Sequence, residues 1–312
     1  MIRDRLMRWT RLTGLGACLI LTEAVAQPPV CEMSFSFWQT DKDARSGKTA
    51  VWSDPVGNLM FIEKLNVNTD GTRRSYSVQD FWGETRAINN LCNAMSDACA
   101  GLSTAQLRER RIATQEAARE GWPTEKLKAT RLSPDIIPMP GGKPCPEVDG
   151  FLVSATALHA ARITDACALE NYVDALQVPA IVIPKNTKAA PSQFLARNAR
   201  VGDLVAALRI DQSEPVMAVI GDTGPTHSLG EATVAMNRQL LGKTGDPAHY
   251  KEARRWGAPP TWVLIFAGSR NTEQPYMTST RIDTDARSRF AEWGGVARAQ
   301  ACISEYRSKH PG

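Results

Sequence analysis

Two carboxylates stand close together in the sequence at residues 221–236, GDTGPTHSLGEATVAM: Asp222 and Glu231. Glycosidic hydrolysis with inversion needs such a pair. One carboxyl must hold a proton for the leaving oxygen, and the other must be ionised to activate water, with roughly 6.5–9.5 Å between them. The residues around them suggest how the two roles divide. The apolar run 215–221, PVMAVIG, reads as a buried strand that delivers Asp222 to its open end, where loss of water raises a carboxyl pKa. Gly224-Pro225 turns the chain. Residues 231–241 read as a helix ending at Gly242, which places Glu231 in the first turn, where the helix dipole favours the charged form. Asp222 is thus the expected acid and Glu231 the expected base. The same two residues also suit a turn aspartate and an ordinary helix-start glutamate, and spacing alone does not separate these roles from catalysis.

Other chemistries find less support. The histidines, His159, His227, His249 and His310, show no paired metal spacing, and there is no Cys-x-x-Cys. No metal or other cofactor is expected. His227 lies between the carboxylates and is a candidate substrate contact, although a surface loop position explains it as well. Ser154 and Ser192 lack a nucleophile-elbow context. Gly242-Lys243-Thr244 has Asn237 where a phosphate-binding loop needs its first glycine, which argues against nucleotide binding. Lys185 and Asp203 flank predicted strands and either line the cleft or serve the scaffold. Trp82, Trp256, Trp262 and Trp293 are candidates for stacking on sugar rings, or core residues.

The elements that must carry this site are short. LMFIEKLNV (59–67), FLVSATAL (151–158), PAIVIP (179–184), LVAALRI (204–210), PVMAVIG (215–221) and TWVLIFAGS (261–269) read as strands bounded by glycine, proline or turns. Residues 103–128 read as a charged, solvated helical segment capped by Ser103 and broken at Gly121-Trp122-Pro123. Residues 133–150 hold five prolines and read as a linker or ordered loop. Short strands with few helices point to a mainly β (α+β) barrel or sandwich rather than a parallel α/β sheet.

The chain has 312 residues, 43% hydrophobic and 22% charged, enough for a large core. Residues 1–26 read as a signal peptide: Arg3, Arg5, Arg8 and Arg11, an apolar stretch over 12–21, then Ala24-Val25-Ala26 as the cleavage site. A lipidated Cys18 is the alternative. Residues 27–312 would form a single catalytic domain, secreted or periplasmic. Without the signal the formal charge falls from +4 to +2, so nothing calls for a nucleic-acid or membrane partner. Six cysteines remain, Cys31, Cys92, Cys99, Cys145, Cys167 and Cys302, enough for three disulfides among 15 pairings. Such a protein is expected to be a monomer acting on a polysaccharide.

The stretch Gly221-Asp222-Thr223-Gly224-Pro225 with Gly230-Glu231-Ala232-Thr233 resembles the glycoside hydrolase family 75 chitosanases. Similar order extends to Asp70-Gly71 with Tyr76, to 172–175 and 179–184, to Gly202-Asp203, to 266–269 and to Trp293-Gly294-Gly295. The resemblance implies an inverting endo-hydrolase of β-1,4 glucosamine-type bonds. Its catalytic pair would be Asp222 and Glu231. Asp70, Tyr76, Lys185, Thr223 and His227 are the expected substrate contacts. The stretch also resembles double-psi β-barrel proteins, among them peptidoglycan lytic transglycosylases, whose aspartate at this position is the acid. It implies a double-psi β-barrel-like core with peripheral helices, and 103–128 reads as a helical insertion. The chain departs from the family at Asn68, where a second acidic residue is usual. A cationic chitosan also suits an acidic groove better than a slightly positive protein. A lytic transglycosylase and a non-catalytic glycan-binding barrel are the alternative functions.

Overall fold

Most of the predicted strands are continuous apolar runs whose successive side chains point to opposite faces, and here both faces are buried. The computed structural model describes residues 29–309, so the expected signal peptide and Cys18 lie outside the described residues. The strands are β1 (Ser34–Thr40), β2 (Lys48–Ser53), β3 (Leu59–Asn68), β4 (Ala180–Pro184), β5 (Leu204–Arg209), β6 (Val216–Gly224), β7 (Glu231–Thr233) and β8 (Ala258–Ile265). The α-helices are α1 (Thr104–Arg119), α2 (Thr124–Thr130), α3 (Gln193–Ala196), α4 (Val234–Leu240), α5 (Tyr250–Ala253), α6 (Ser279–Trp293) and α7 (Gly295–Lys309).

The strand order is β1-β2-β3-β7-β4-β6-β5-β8, and β8 pairs back onto β3. Six strands therefore close into a barrel, while β1 and β2 extend the sheet beyond β3. Closure leaves those six without an open edge. A barrel core was expected. With seven α-helices among the described residues, however, the chain is mixed α/β rather than mainly β.

The alternation sorts the strand residues into two cores. Leu59, Phe61, Ile181, Val205, Ile220 and Val263 fill the barrel interior. Their neighbours Met60, Ala180, Leu204, Val219, Trp262 and Leu264 face outward under α6 and α7, against Ile282, Phe290 and Trp293. Burying apolar surface on both faces stabilises the fold by about 25 cal/mol for each Å² removed from water.

One predicted strand is absent. Residues 151–158 form isolated bridges, Tyr76 with Leu152 and Val148 with Phe151, rather than a ladder. Leu152 packs against the 76–99 and 132–137 segments, Val153 against Cys145 and Tyr172, and Leu158 against the outer face of the barrel. The helical segment forms as expected. Ser103 and Gln106 make a reciprocal capping box at the start of α1, and the helix stops before Trp122.

Three disulfides join Cys31 to Cys302, Cys92 to Cys99 and Cys145 to Cys167. They fit the oxidising, exported environment read from the cysteine count. No helix among the described residues is long and apolar enough to cross a membrane.

Candidate active site

Asp222 and Glu231 flank the same residue. On β4, Val182 pairs with Asp222 of β6 on one side and with Glu231 of β7 on the other. Residues directly opposite in a ladder project to the same face. Two strand spacings put the Asp222 and Glu231 Cα atoms roughly 9–10 Å apart, with both side chains on one surface.

A bulge sets that surface. Ile181 pairs with Ile220, but Val182 pairs with Asp222, so Gly221 is the extra residue. Without it, Asp222 would share the inward direction of Ile220. The bulge turns Asp222 to the outside of the barrel. A Cβ on Gly221 would lie 2.8 Å from the Ala180 Cβ, so the close strand approach there requires glycine.

Glu231 is positioned differently from the expectation. It opens strand β7 rather than a helix, and α4 begins three residues later with Thr233 as its N-cap, the Thr233 hydroxyl accepting from the Met236 N–H. The helix dipole therefore does not act on Glu231. Alternating small residues, Ala232 inward and Thr233 at the cap, let the chain pair with both β3 and β4 before it can coil. Just before β7, Gly230 takes φ +83°, and a Cβ there would lie 2.3 Å from the Lys64 carbonyl oxygen.

A third carboxylate joins the pair. Asp70 follows the end of β3, where its backbone N–H donates to Asn68 Oδ1 at 2.9 Å. The Tyr76 hydroxyl donates to Asp70 Oδ1 at 2.8 Å and the Ser154 hydroxyl at 3.1 Å. The Asn89 amide donates to Tyr76 Oη at 3.1 Å and to Thr69 Oγ1 at 3.0 Å, which holds the phenol in place. Asp222 Oδ1 accepts the backbone N–H groups of Ala157 at 2.9 Å and Thr223 at 2.8 Å.

All three acids titrate high. Burial lifts Asp222 from its ordinary 3.8 to about 8, with the Asp70 charge adding to the rise and the two N–H groups opposing it. Burial also lifts Asp70 to about 6 against the stabilising hydrogen bonds of Tyr76 and Ser154. Glu231 is raised by burial first and by Asp70 second, while a hydrogen bond from Asn68 favours its charged form. Burial and the Asp70 charge push the Tyr76 phenol well above its ordinary value, so it stays a hydrogen-bond donor. At neutral pH the cluster thus combines a protonated Asp222 with ionisable partners, and it can both give and take a proton.

The other site residues read from sequence take varied positions. Thr223 follows Asp222 and lines a neighbouring cavity. Lys185 is exposed, and its Nζ pairs with Asp135 at 3.6 Å. His227 is exposed on the 225–230 loop, which is pinned to the β1–β2 turn through Gln39, Lys42 and Ser228. Asp203 is fully buried and serves the scaffold, accepting the backbone N–H groups of Arg200, Gly268 and Arg270. Trp256, Trp262 and Trp293 are buried in cores and Trp82 is partly buried against the helical segment, so none offers an open stacking face.

Ser154, Asn89 and the Ala157 N–H are the site groups that sequence patterning leaves out. A hydroxyl, an amide and a backbone donor carry no motif of their own, and only the fold brings them to the carboxylates. The described residues contain no set of three or more His, Cys, Asp or Glu side chains able to hold a metal ion. No protein-family model matches the chain, and no curated protein matches its sequence.

Proposed function

We propose that the protein is a secreted polysaccharide endo-hydrolase that cleaves β-1,4 bonds of a glucosamine-type polymer with inversion. The observation that carries this reading is the placement of Asp222 and Glu231 on either side of Val182, outward on one barrel face, with Asp222 held protonated at neutral pH. A Cα separation of roughly 9–10 Å is compatible with the carboxyl spacing of about 6.5–9.5 Å that inversion needs. Asp222 gives its proton to the glycosidic oxygen. Glu231, ionised with the help of Asn68, takes a proton from the attacking water. Asp70 supplies the negative charge that keeps the Asp222 proton in place, and Tyr76 and Ser154 hold Asp70. The barrel, with a carboxylate on the bulged β6, is in keeping with a double-psi-like core of the kind found around such an aspartate.

Incubation of the pure protein with chitosan, chitin, peptidoglycan and β-glucan, followed by product mass and anomeric analysis, tests the reading. Reducing ends of inverted configuration are expected, and Glu231→Gln should lower turnover by about 10²–10⁴-fold with the fold intact. Anhydro-sugar ends would instead mark a lytic transglycosylase. Glycan binding without products, unchanged in Glu231→Gln, would mark a non-catalytic barrel.

A further inference from the structure

Beside the carboxylates, beyond Thr223, lies a concavity of about 460 Å³. That volume falls within the range of small-molecule sites, about 300–1,000 Å³. Its walls are largely apolar, with Leu158, Leu195, Val201 and Pro275 among them. Its charged groups are all of one sign. Arg200 and Arg270 line it, and no aspartate or glutamate does.

The two guanidiniums are poorly neutralised. Arg270 pairs with Asp203, which is fully buried and already accepts three backbone N–H groups; its carboxylate lies 3.9 Å from Arg270 Nη1. The exposed Arg200 guanidinium makes one long hydrogen bond, to Asn198 Oδ1 at 3.4 Å, and takes part in no ion pair among the described residues. One carboxylate, already shared with three backbone N–H groups, thus stands beside one of the two arginines, and the cavity lining is net positive. A guanidinium fork matches a carboxylate by geometry as well as charge, whereas a free ammonium there meets like charge.

The cavity also adjoins the candidate catalytic residues. Ala157, whose N–H donates to Asp222, and Thr223, the next residue after Asp222, both line it. A glycan with its scissile oxygen at Asp222 would lay an adjacent sugar into this space.

We propose that this cavity is a subsite for an N-acylated amino sugar that carries a carboxylate, the acyl group resting on the apolar wall and the carboxylate on Arg200 and Arg270. The proposal rests on the hydrolase reading and narrows it, from glucosamine-type polymers in general to acidic, N-acylated ones rather than free-amine chitosan.

The test is binding, measured calorimetrically at low salt with the full-length Asp222→Asn protein, so that nothing is consumed. Three disaccharides serve as probes: N-acetylglucosaminyl-β-1,4-N-acetylmuramic acid, N,N′-diacetylchitobiose, which lacks the carboxylate, and chitobiose, which carries free ammonium groups. The acidic disaccharide should bind at least about tenfold more tightly than the neutral one. Arg200→Gln, at an exposed position that leaves the core untouched, should shrink that gap to about twofold by weakening the acidic ligand alone, and raised salt should narrow it likewise. Equal affinities, a gap unchanged in Arg200→Gln, tighter binding of chitobiose, or no binding of the acidic disaccharide in the millimolar range would each overturn the proposal. The two ideas fail separately. Chitosan cleavage with no acidic preference sinks the subsite alone, while an Arg200-dependent preference without hydrolysis of any polymer sinks the hydrolase alone.

Discussion

Replacing Asp222 by asparagine keeps the shape of the side chain and removes its titration. The Oδ1 atom can still accept the N–H groups of Ala157 and Thr223. What disappears is a proton that the folded protein binds far more tightly than the unfolded chain. Asp222 has its folded pKa raised from 3.8 to about 8, so between those values the native state holds a proton that the unfolded state has released. Stability then falls as pH rises through that window and levels off above it. At about 1.36 kcal/mol per pH unit, the fall between pH 3.8 and 7 reaches about 4 kcal/mol. The side chain is partly exposed and water screens part of this, so Asp222→Asn should be more stable than wild type by about 1–3 kcal/mol at pH 7. Near pH 4 the two should be nearly equal. Turnover should fall by about 10²–10⁴-fold at every pH. Urea denaturation with the disulfides intact, at pH 4, 5.5 and 7, measures the stability difference. A difference that does not grow with pH, or a variant less stable throughout, would refute the claim that the fold forces a proton onto Asp222. Undiminished hydrolysis would refute its role as the acid.

Tyr76→Phe removes the donor that stabilises ionised Asp70, so carbon-detected NMR titration should show the Asp70 carboxyl moving above its value of about 6. The same change leaves the Asn89 amide short of a partner and should cost about 1–3 kcal/mol in denaturant unfolding. Gly221→Ala pushes a methyl against the Ala180 side chain at the bulge, and a thermal scan should report a loss of about 1–3 kcal/mol together with reduced turnover, because the bulge aims Asp222. Joint replacement of Cys31 and Cys302 by serine should lower stability by about 2–5 kcal/mol in the same scan.

Much of the barrel is legible in the sequence because its strands are apolar on both faces and end at glycine or proline. Residues 59–67, 179–184, 204–210, 215–221 and 261–269 each correspond to a barrel strand, with ends shifted by a few residues. The run 151–158 has the same composition but finds no ladder partner, a distinction that pairing makes and composition does not. Glu231 reads as helical because the residues after it are helical. Its strand character comes from β3 and β4 on either side, which are distant in sequence. The bulge at Gly221 is likewise invisible to a period-two pattern until the register with Ile181 and Val182 is known. Of the candidate site, the two acids and Thr223 are carried by local sequence, and Asp70 and Tyr76 by resemblance. The hydrogen bonds of Ser154, Asn89 and Ala157, and the arginines of the neighbouring cavity, follow from tertiary structure alone.

The three cystine bridges differ widely in the lengths of chain they enclose. Cys92 and Cys99 are 7 residues apart and Cys145 and Cys167 are 22, so both loops can be sealed while synthesis continues. Cys31 is 271 residues from its partner, which lies on the last helix. That bond has to wait until nearly the whole polypeptide has been made. An oxidant that acts in order of emergence would give Cys31 to Cys92 or Cys99 first, so a disulfide isomerase is the helper this protein should need when it is produced.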